Sequence, residues 1–212
     1  MKKNLFAVLA LILMASTMNA QDAASNSRDQ IHIGLKVGAN YSNVYDTQGE
    51  KYDANGKIGF ATGAFLSIPI GTFLGIQPEV LFSQKGFKAT SSVLGSDVSL
   101  TRTTNYIDIP VFLAIKPTEM LTLLVGPQYS YLMKQKDVFS SPITNIVVNQ
   151  DFKNDNIRKN TFCMVAGVDI NLSNLVLGAR VGMDMFNNNG DGTSTTPRYK
   201  NVWAQATVGF RL

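Results

Sequence analysis

The 212-residue chain holds one cysteine, Cys163, and one histidine, His32, so the two residue types most used for covalent and metal chemistry are nearly missing. A lone cysteine cannot close an intrachain disulfide, even in an oxidising compartment. Its expected role is a small buried side chain on the inner face of a strand, not a reactive thiol. Charge is scarce as well. Asp, Glu, Lys and Arg make up 16% of the residues, against about 25% in an ordinary soluble domain. Yet beyond the N-terminus no apolar run approaches the roughly 20 residues of a membrane helix. Strands that alternate in polarity reconcile the two deficits, because one face of each can be apolar without any long apolar run.

At the N-terminus, Lys2 and Lys3 precede an apolar run from Leu5 to Met14 and a small-residue stretch ending at Ala20. This is the pattern of an export signal over residues 1–20, although Met18 is larger than the residue usual three places before a cut. The apolar run is too short for a membrane anchor. Residues 21–30 are polar and unpatterned, which predicts a flexible periplasmic tail. Loss of Lys2 and Lys3 with the leader lowers the formal charge from +4 to +2, which gives little reason to expect an acidic partner and none to expect nucleic acid.

Eight stretches then alternate apolar and polar residues: 31–43, 57–70, 73–87, 101–116, 120–133, 161–172, 175–186 and 201–212. In the first, Ile31, Ile33, Leu35, Val37, Ala39 and Tyr41 share one face, and His32, Gly34, Lys36, Gly38, Asn40 and Ser42 the other. Connections alternate between tight (70–72, 116–119, 172–174) and long (44–56, 88–100, 134–160, 187–200). The prediction is an all-β fold: an eight-stranded antiparallel up-and-down transmembrane β-barrel over 31–212, with short periplasmic turns, long extracellular loops and both termini periplasmic. A soluble up-and-down barrel alternates too, but with its apolar face inward. The polar set here is rich in glycine and poor in the lysine and glutamate of a solvated sheet, which suits the crowded inside of a narrow barrel. The apolar set carries Tyr41, Phe60, Phe82, Tyr129, Tyr131 and Phe162 toward the long-loop end, where they would form an interfacial girdle.

By parity the inner face receives Lys36, Glu79, Lys85, Asp108, Asp169, Arg180, Asp184 and Arg211. Both signs are present, so the expectation is an ionic network that fills the lumen of a non-conducting barrel. The alternative is a narrow channel or small-ligand transporter. Barrel enzymes acting on lipid or protein usually keep their histidine near the outer rim, whereas His32 opens the first strand, so no catalytic site is expected. Asn187-Asn188-Asn189-Gly190-Asp191-Gly192 has the outline of a calcium loop. However, Asn187 occupies the place of the first aspartate and Arg198 that of the bidentate glutamate, so neither a metal nor another cofactor is expected. Outer-membrane lipid is the expected surrounding of a monomer, and loops 134–160 and 187–200 are the candidate contacts for a protein partner. Within the longer loop, Ile146, Val147 and Val148 have the propensity to extend strands above the membrane as a hairpin.

Four segments carry a family resemblance: Gly34-Leu35-Lys36-Val37-Gly38-Ala39-Asn40-Tyr41-Ser42, Gln77-Pro78-Glu79-Val80-Leu81-Phe82-Ser83-Gln84-Lys85-Gly86, Tyr106-Ile107-Asp108-Ile109-Pro110-Val111 and Gly126-Pro127-Gln128-Tyr129-Ser130-Tyr131-Leu132. In this order they resemble the PorT-like outer-membrane β-barrel proteins of Gram-negative bacteria, over almost the whole mature chain. The resemblance implies an eight-stranded barrel and no catalytic residues. For function it implies an accessory to the maturation or secretion of exported proteases, most relatives having no assigned activity; a non-enzymatic barrel with long loops is equally open to being a surface adhesin or a passive membrane-stabilising protein. Pro78, Pro110 and Pro127 donate no ladder hydrogen bond and are expected to mark bulges or breaks in pairing.

Overall fold

A computed structural model of the chain describes residues 27–46, 54–93, 96–140, 145–150, 158–188 and 199–212. The expected signal peptide and most of the connections 44–56 and 187–200 lie outside the described residues. The strands are β1 (His32–Asp46), β2 (Ala54–Pro69), β3 (Leu74–Val93), β4 (Ser96–Ile115), β5 (Leu121–Ser140), β6 (Asn145–Gln150), β7 (Asn160–Leu172), β8 (Leu175–Asp184) and β9 (Tyr199–Arg211). Eight of them, all but β6, pair with their neighbours in antiparallel register, and β9 returns to β1 from Gly34↔Arg211 to Asp46↔Tyr199. The barrel is closed, so its wall has no free edge to template aggregation.

The orientation of the two faces is opposite to that of a soluble protein. Leu35 is 66% exposed and Ile58 72%, while Glu79 and Asp108 are 2% and 1% exposed. An outer wall of bare apolar side chains around a buried polar interior is stable only where the surroundings are themselves apolar. Inside the wall, small residues make room for large ones. A Cβ on Gly182 would overlap the Trp203 ring, and one on Gly34 the Phe65 ring.

Three turns at one end are tight: Ile70 to Phe73, Lys116 to Met120, and Ser173–Asn174, where Ser173 takes a left-handed φ of 53°. This short-turn end also holds the described N-terminal residues and the C-terminus, with the Leu212 amide donating to Ile33 O at 2.8 Å. The tail expected over 21–30 is structured in its described part. Ser27–Asp29 form one turn of 3-10 helix, Arg28 donates to Lys116 O and Pro117 O, and Lys116 Nζ donates back to Arg28 O at 3.2 Å.

At the far end the strands run longer than the alternation predicts. β3, β4 and β5 each have 20 residues, about twice the 9–11 that cross a membrane. The expected loop 88–100 is instead a hairpin paired out to Val93↔Ser96. Much of 134–160 is paired as well, with β6 folding back on β5 from Gln135↔Gln150 to Ser140↔Asn145. Outside the lipid both faces meet water, so the apolar alternation stops while backbone pairing continues.

The prolines break pairing without bulging it. The β3–β4 ladder passes from Pro78↔Val111 to Leu81↔Asp108 in unchanged register. The β4–β5 ladder likewise skips from Pro110↔Gln128 to Leu113↔Val125, across Pro127. The register shifts are elsewhere, between Gly56 and Ala61 and between Asn105 and Tyr106. At the second, Asn105 pairs with Lys134 but Tyr106 with Leu132, so Met133 is the extra residue. Such a bulge reverses which residues of β5 face inward.

Candidate functional site

The lumen is occupied by three layers of paired polar side chains. The layer nearest the short turns takes one residue each from β1, β3, β7 and β8. Lys36 Nζ lies 2.6 Å from Glu79 Oε1, Arg180 NH2 lies 3.5 Å from the same oxygen, and Arg180 NH1 lies 2.8 Å from Asp169 Oδ1. Gln77 Nε2 donates to Glu79 Oε1 at 3.0 Å and to Asp169 Oδ2 at 3.2 Å, tying the two carboxylates together. The cations rest on aromatic faces, Lys36 5.1 Å from the Phe65 centroid and Arg180 5.4 Å from that of Phe112. Two cations and two anions balance, as charges withdrawn from water require.

The middle layer joins Lys85 to Asp108 at 2.9 Å, with the ammonium 4.8 Å from Trp203 and 5.0 Å from Tyr106. Asp184 stands beside it and accepts from Asn188 Nδ2 and from Asn201 N and Nδ2 on one oxygen, and from Cys163 Sγ on the other. It thereby pins the start of the β8–β9 connection to the wall. Cys163 is buried on the inner face of β7. Between these layers a cross-lumen amide relay runs from Gln205 Nε2 to Asn40 Oδ1 and from Asn40 Nδ2 to Ser83 Oγ, each at 2.8 Å.

A third layer, at the far end, was not among the residues expected. Arg102 clasps Asp137 with Nε and NH2 at 2.8 and 2.7 Å, and its NH1 donates to Tyr199 OH at 2.8 Å. The signal for Arg102 was its shared parity with Asp108 on β4. Asp137 gave none, because the Met133 bulge turns it inward against the alternation of the rest of β5. Arg211 is not part of the lumenal layers. It lies at the short-turn rim, where Nε donates to Ser173 O at 2.6 Å.

The short-turn end is closed further. His32 Nε2 lies 2.9 Å from Ser27 O, the Arg28 guanidinium covers the Phe73 ring at 5.3 Å, and Lys116 is buried beneath Ser27–Asp29. Burial, and then Arg211 nearby, lowers the affinity of the Lys116 amine for its proton, and Asp29 partly opposes this. The space left between this segment and the Lys36–Arg180 layer is about 20 Å³, room for about one water. Among the described residues, no group of three or more His, Cys, Asp and Glu side chains is placed to hold a metal ion.

The girdle residues all lie on the outer wall. Tyr41, Phe60, Tyr131 and Phe162 are exposed, and Phe82 and Tyr129 are half-exposed. Phe60 stacks on Phe82 with centroids 5.3 Å apart, and Tyr129 meets Phe162 edge-on at 5.5 Å. Phe82, Ile107 and Tyr131 share one rung across β3, β4 and β5.

With a closed wall, lipid-suited exterior and packed lumen in place, the comparisons agree. The sequence profile of the family "outer membrane protein beta-barrel domain" matches residues 19–188. The chain belongs to that family. Its solved relatives in fold include Ail, the attachment invasion locus protein of Yersinia pestis, at TM-score 0.51 and 17% identity over 85% of this chain and 98% of that one. Ail in complex with the heparin analogue sucrose octasulfate matches at 0.51 and 17%, over 86% and 99%. Neisserial surface protein A matches at 0.48 and 10%, over 85% and 97%. No curated protein matches the chain. As an outer membrane protein beta-barrel domain, the chain is placed in the outer membrane, surrounded by lipid.

Proposed function

We propose that this outer-membrane barrel is non-enzymatic and non-conducting, stands with both termini in the periplasm, and acts through the sheet that its far end raises outside the membrane. The observation that carries the reading is the pairing of a lumen crossed by ion pairs and aromatic rings with three 20-residue strands that outrun the bilayer. A pore needs a continuous aqueous path, and the Lys36–Glu79–Arg180–Asp169 layer spans the lumen from Glu79 on β3 to Arg180 on β8, which face each other across the barrel. The only histidine is engaged by Ser27 O at the opposite end from the projecting sheet, which supports the absence of a catalytic relay there. A leader over residues 1–20 supplies the export that the reading requires. The motifs shared with PorT-like barrels favour an accessory to protein secretion among surface-acting roles.

Two measurements test this. In planar bilayers the wild-type protein is expected to give no stable conductance; lasting open channels would move the function to a narrow channel or transporter. Crosslinking in intact cells from single cysteines at Ile146 on β6, which is 56% exposed, and at Pro117 in a short turn then asks which end meets a partner. Capture of secretion components supports the accessory role. A folded barrel that captures nothing from either position leaves that role without support.

A further inference from the structure

The outer surface of β3, β4 and β5 changes character rung by rung beyond the aromatic girdle. The girdle rung is Phe82, Ile107 and Tyr131. The next is Gln84, Asn105 and Lys134, with Gln84 Nε2 donating to Asn105 Oδ1 at 3.2 Å. Above it Thr103 pairs with Lys136, and above that Lys88 pairs with Thr101. Lys88, Lys134 and Lys136 are all exposed, and none joins an ion pair among the described residues. The acidic residues of these strands whose side chains are described, Glu79, Asp108 and Asp137, all point inward. The outer wall is therefore apolar, then amide, then cationic, and the Met133 bulge is what turns Lys134 and Lys136 outward.

Aromatic belts sit at headgroup depth. At about 3.3 Å of rise per residue along tilted strands, the first lysine stands a few ångströms above that depth and the others within roughly two rungs more. Lysine presents phosphate with a mobile point charge on a long stem, and cations just above an interface are attracted to anionic headgroups. We propose that Lys88, Lys134 and Lys136 form a collar that binds the phosphate-bearing headgroups of outer-leaflet lipids. This rests on the reading that the far end faces outward. The collar fixes the depth and tilt of the barrel on the side where the tallest strands emerge, and Asn105 and Gln84 supply neutral amide groups between the rings and the phosphates.

The test uses the full barrel in phosphatidylcholine nanodiscs, with bisphosphorylated lipid A and its dephosphorylated form as probes, and reads bound lipid per barrel. Wild type is expected to prefer the phosphorylated lipid by about tenfold or more, and raised salt is expected to shrink that preference. In the K88Q/K134Q/K136Q variant the preference is expected to fall to within about twofold. Equal binding of the two lipids by wild type overturns the collar, as does an undiminished preference in the folded variant. Should the variant fail to fold, judged by heat-dependent gel mobility, the wild-type comparison still decides. Orientation is tested separately with a cysteine at Thr101 and an impermeant maleimide. Labelling of intact cells supports the outward reading. Labelling only after the outer membrane is opened overturns it, and with it the assignment to the outer leaflet, whatever the lipid A comparison gives.

Discussion

Two ion-pair sites in this barrel use the same chemistry for different structural ends. The Lys36–Glu79–Arg180–Asp169 layer draws on four strands and ties opposite walls across the lumen. The Arg102–Asp137 ion pair joins two neighbouring strands that are already held by their backbone ladder, and Arg102 reaches the facing wall only at Tyr199 on β9, where NH1 donates one hydrogen bond to the neutral OH. Exposure differs accordingly, with side chains at 4% or below in the first site and 16% for Arg102 in the second. A buried charge therefore matters in proportion to what else holds its surroundings together. Across the lumen only side chains make the links, and outside this layer the hydrogen bonds that cross it go to neutral acceptors, whereas along a hairpin the backbone does most of it.

Arg180→Met puts the greatest load on this contrast. It strips Asp169 of its cation and leaves Lys36 as the one cation on Glu79, among side chains that are 4% exposed or less. The expected loss is about 3–5 kcal/mol, the cost of an orphaned buried charge, read as urea unfolding in lipid vesicles. Converting Asp169→Asn in the same chain should recover much of that loss, because removing both partners removes the orphan. If Arg180→Met is neutral, the layer does not hold the walls.

Gly86 comes next, on β3 between the Lys85 layer and the Arg102 layer. Its φ is 155°, and a Cβ there would collide with Arg102 O. Ser42 Oγ accepts from the Gly86 amide at 2.8 Å, which locks this backbone in place. Gly86→Ala is expected to cost about 1–3 kcal/mol through backbone strain, and to lower the folded fraction in heat-dependent gel mobility. Gly71 in the short turn serves as the control, since a Cβ there would meet nothing within 4 Å.

Arg102→Met should cost less, about 1–2 kcal/mol, and the loss should be local. Hydrogen exchange is expected to quicken in β5 and β6 above Met133 and at the start of β9, where Tyr199 loses its bond from Arg102, while β7 and β8 stay protected. Equal loosening throughout the barrel would erase the distinction between the two sites.

The fold was legible because lipid imposes a period of two wherever one face must be apolar, and that condition holds over all eight crossing strands. It ceases to hold beyond the girdle, so Thr90, Ser91 and Ser92 gave no strand signal although they pair with Ser99, Val98 and Asp97. For the lumen, parity could name Lys36, Glu79, Asp169 and Arg180 as sharing a face, but not who meets whom, since strand tilt and stagger decide which levels coincide. Asp137 was hidden by a single inserted residue, Met133. Arg211 has inward parity but sits one residue from the chain end, past the last inner ring, where Ser173 O is the nearer partner. Alternation reads faces, and bulges and ends are where faces change.

The girdle offers the smallest test and bears on the same contrast from outside the wall. Tyr129 OH donates to Asn160 Oδ1 at 2.6 Å, and its ring meets Phe162 edge-on. Both contacts link β5 to β7, which the ladder from Leu121↔Ile170 to Tyr131↔Asn160 already joins. Tyr129→Phe keeps the ring and deletes only the hydroxyl. Because the backbone holds these strands together, the expected loss is about 0.5–1.5 kcal/mol, visible as a small shift in the unfolding midpoint with no change in exchange across the lumen. A loss as large as that of Arg180→Met would mean that the outer belt, and not the ions bridging the lumen, carries the cohesion of the barrel.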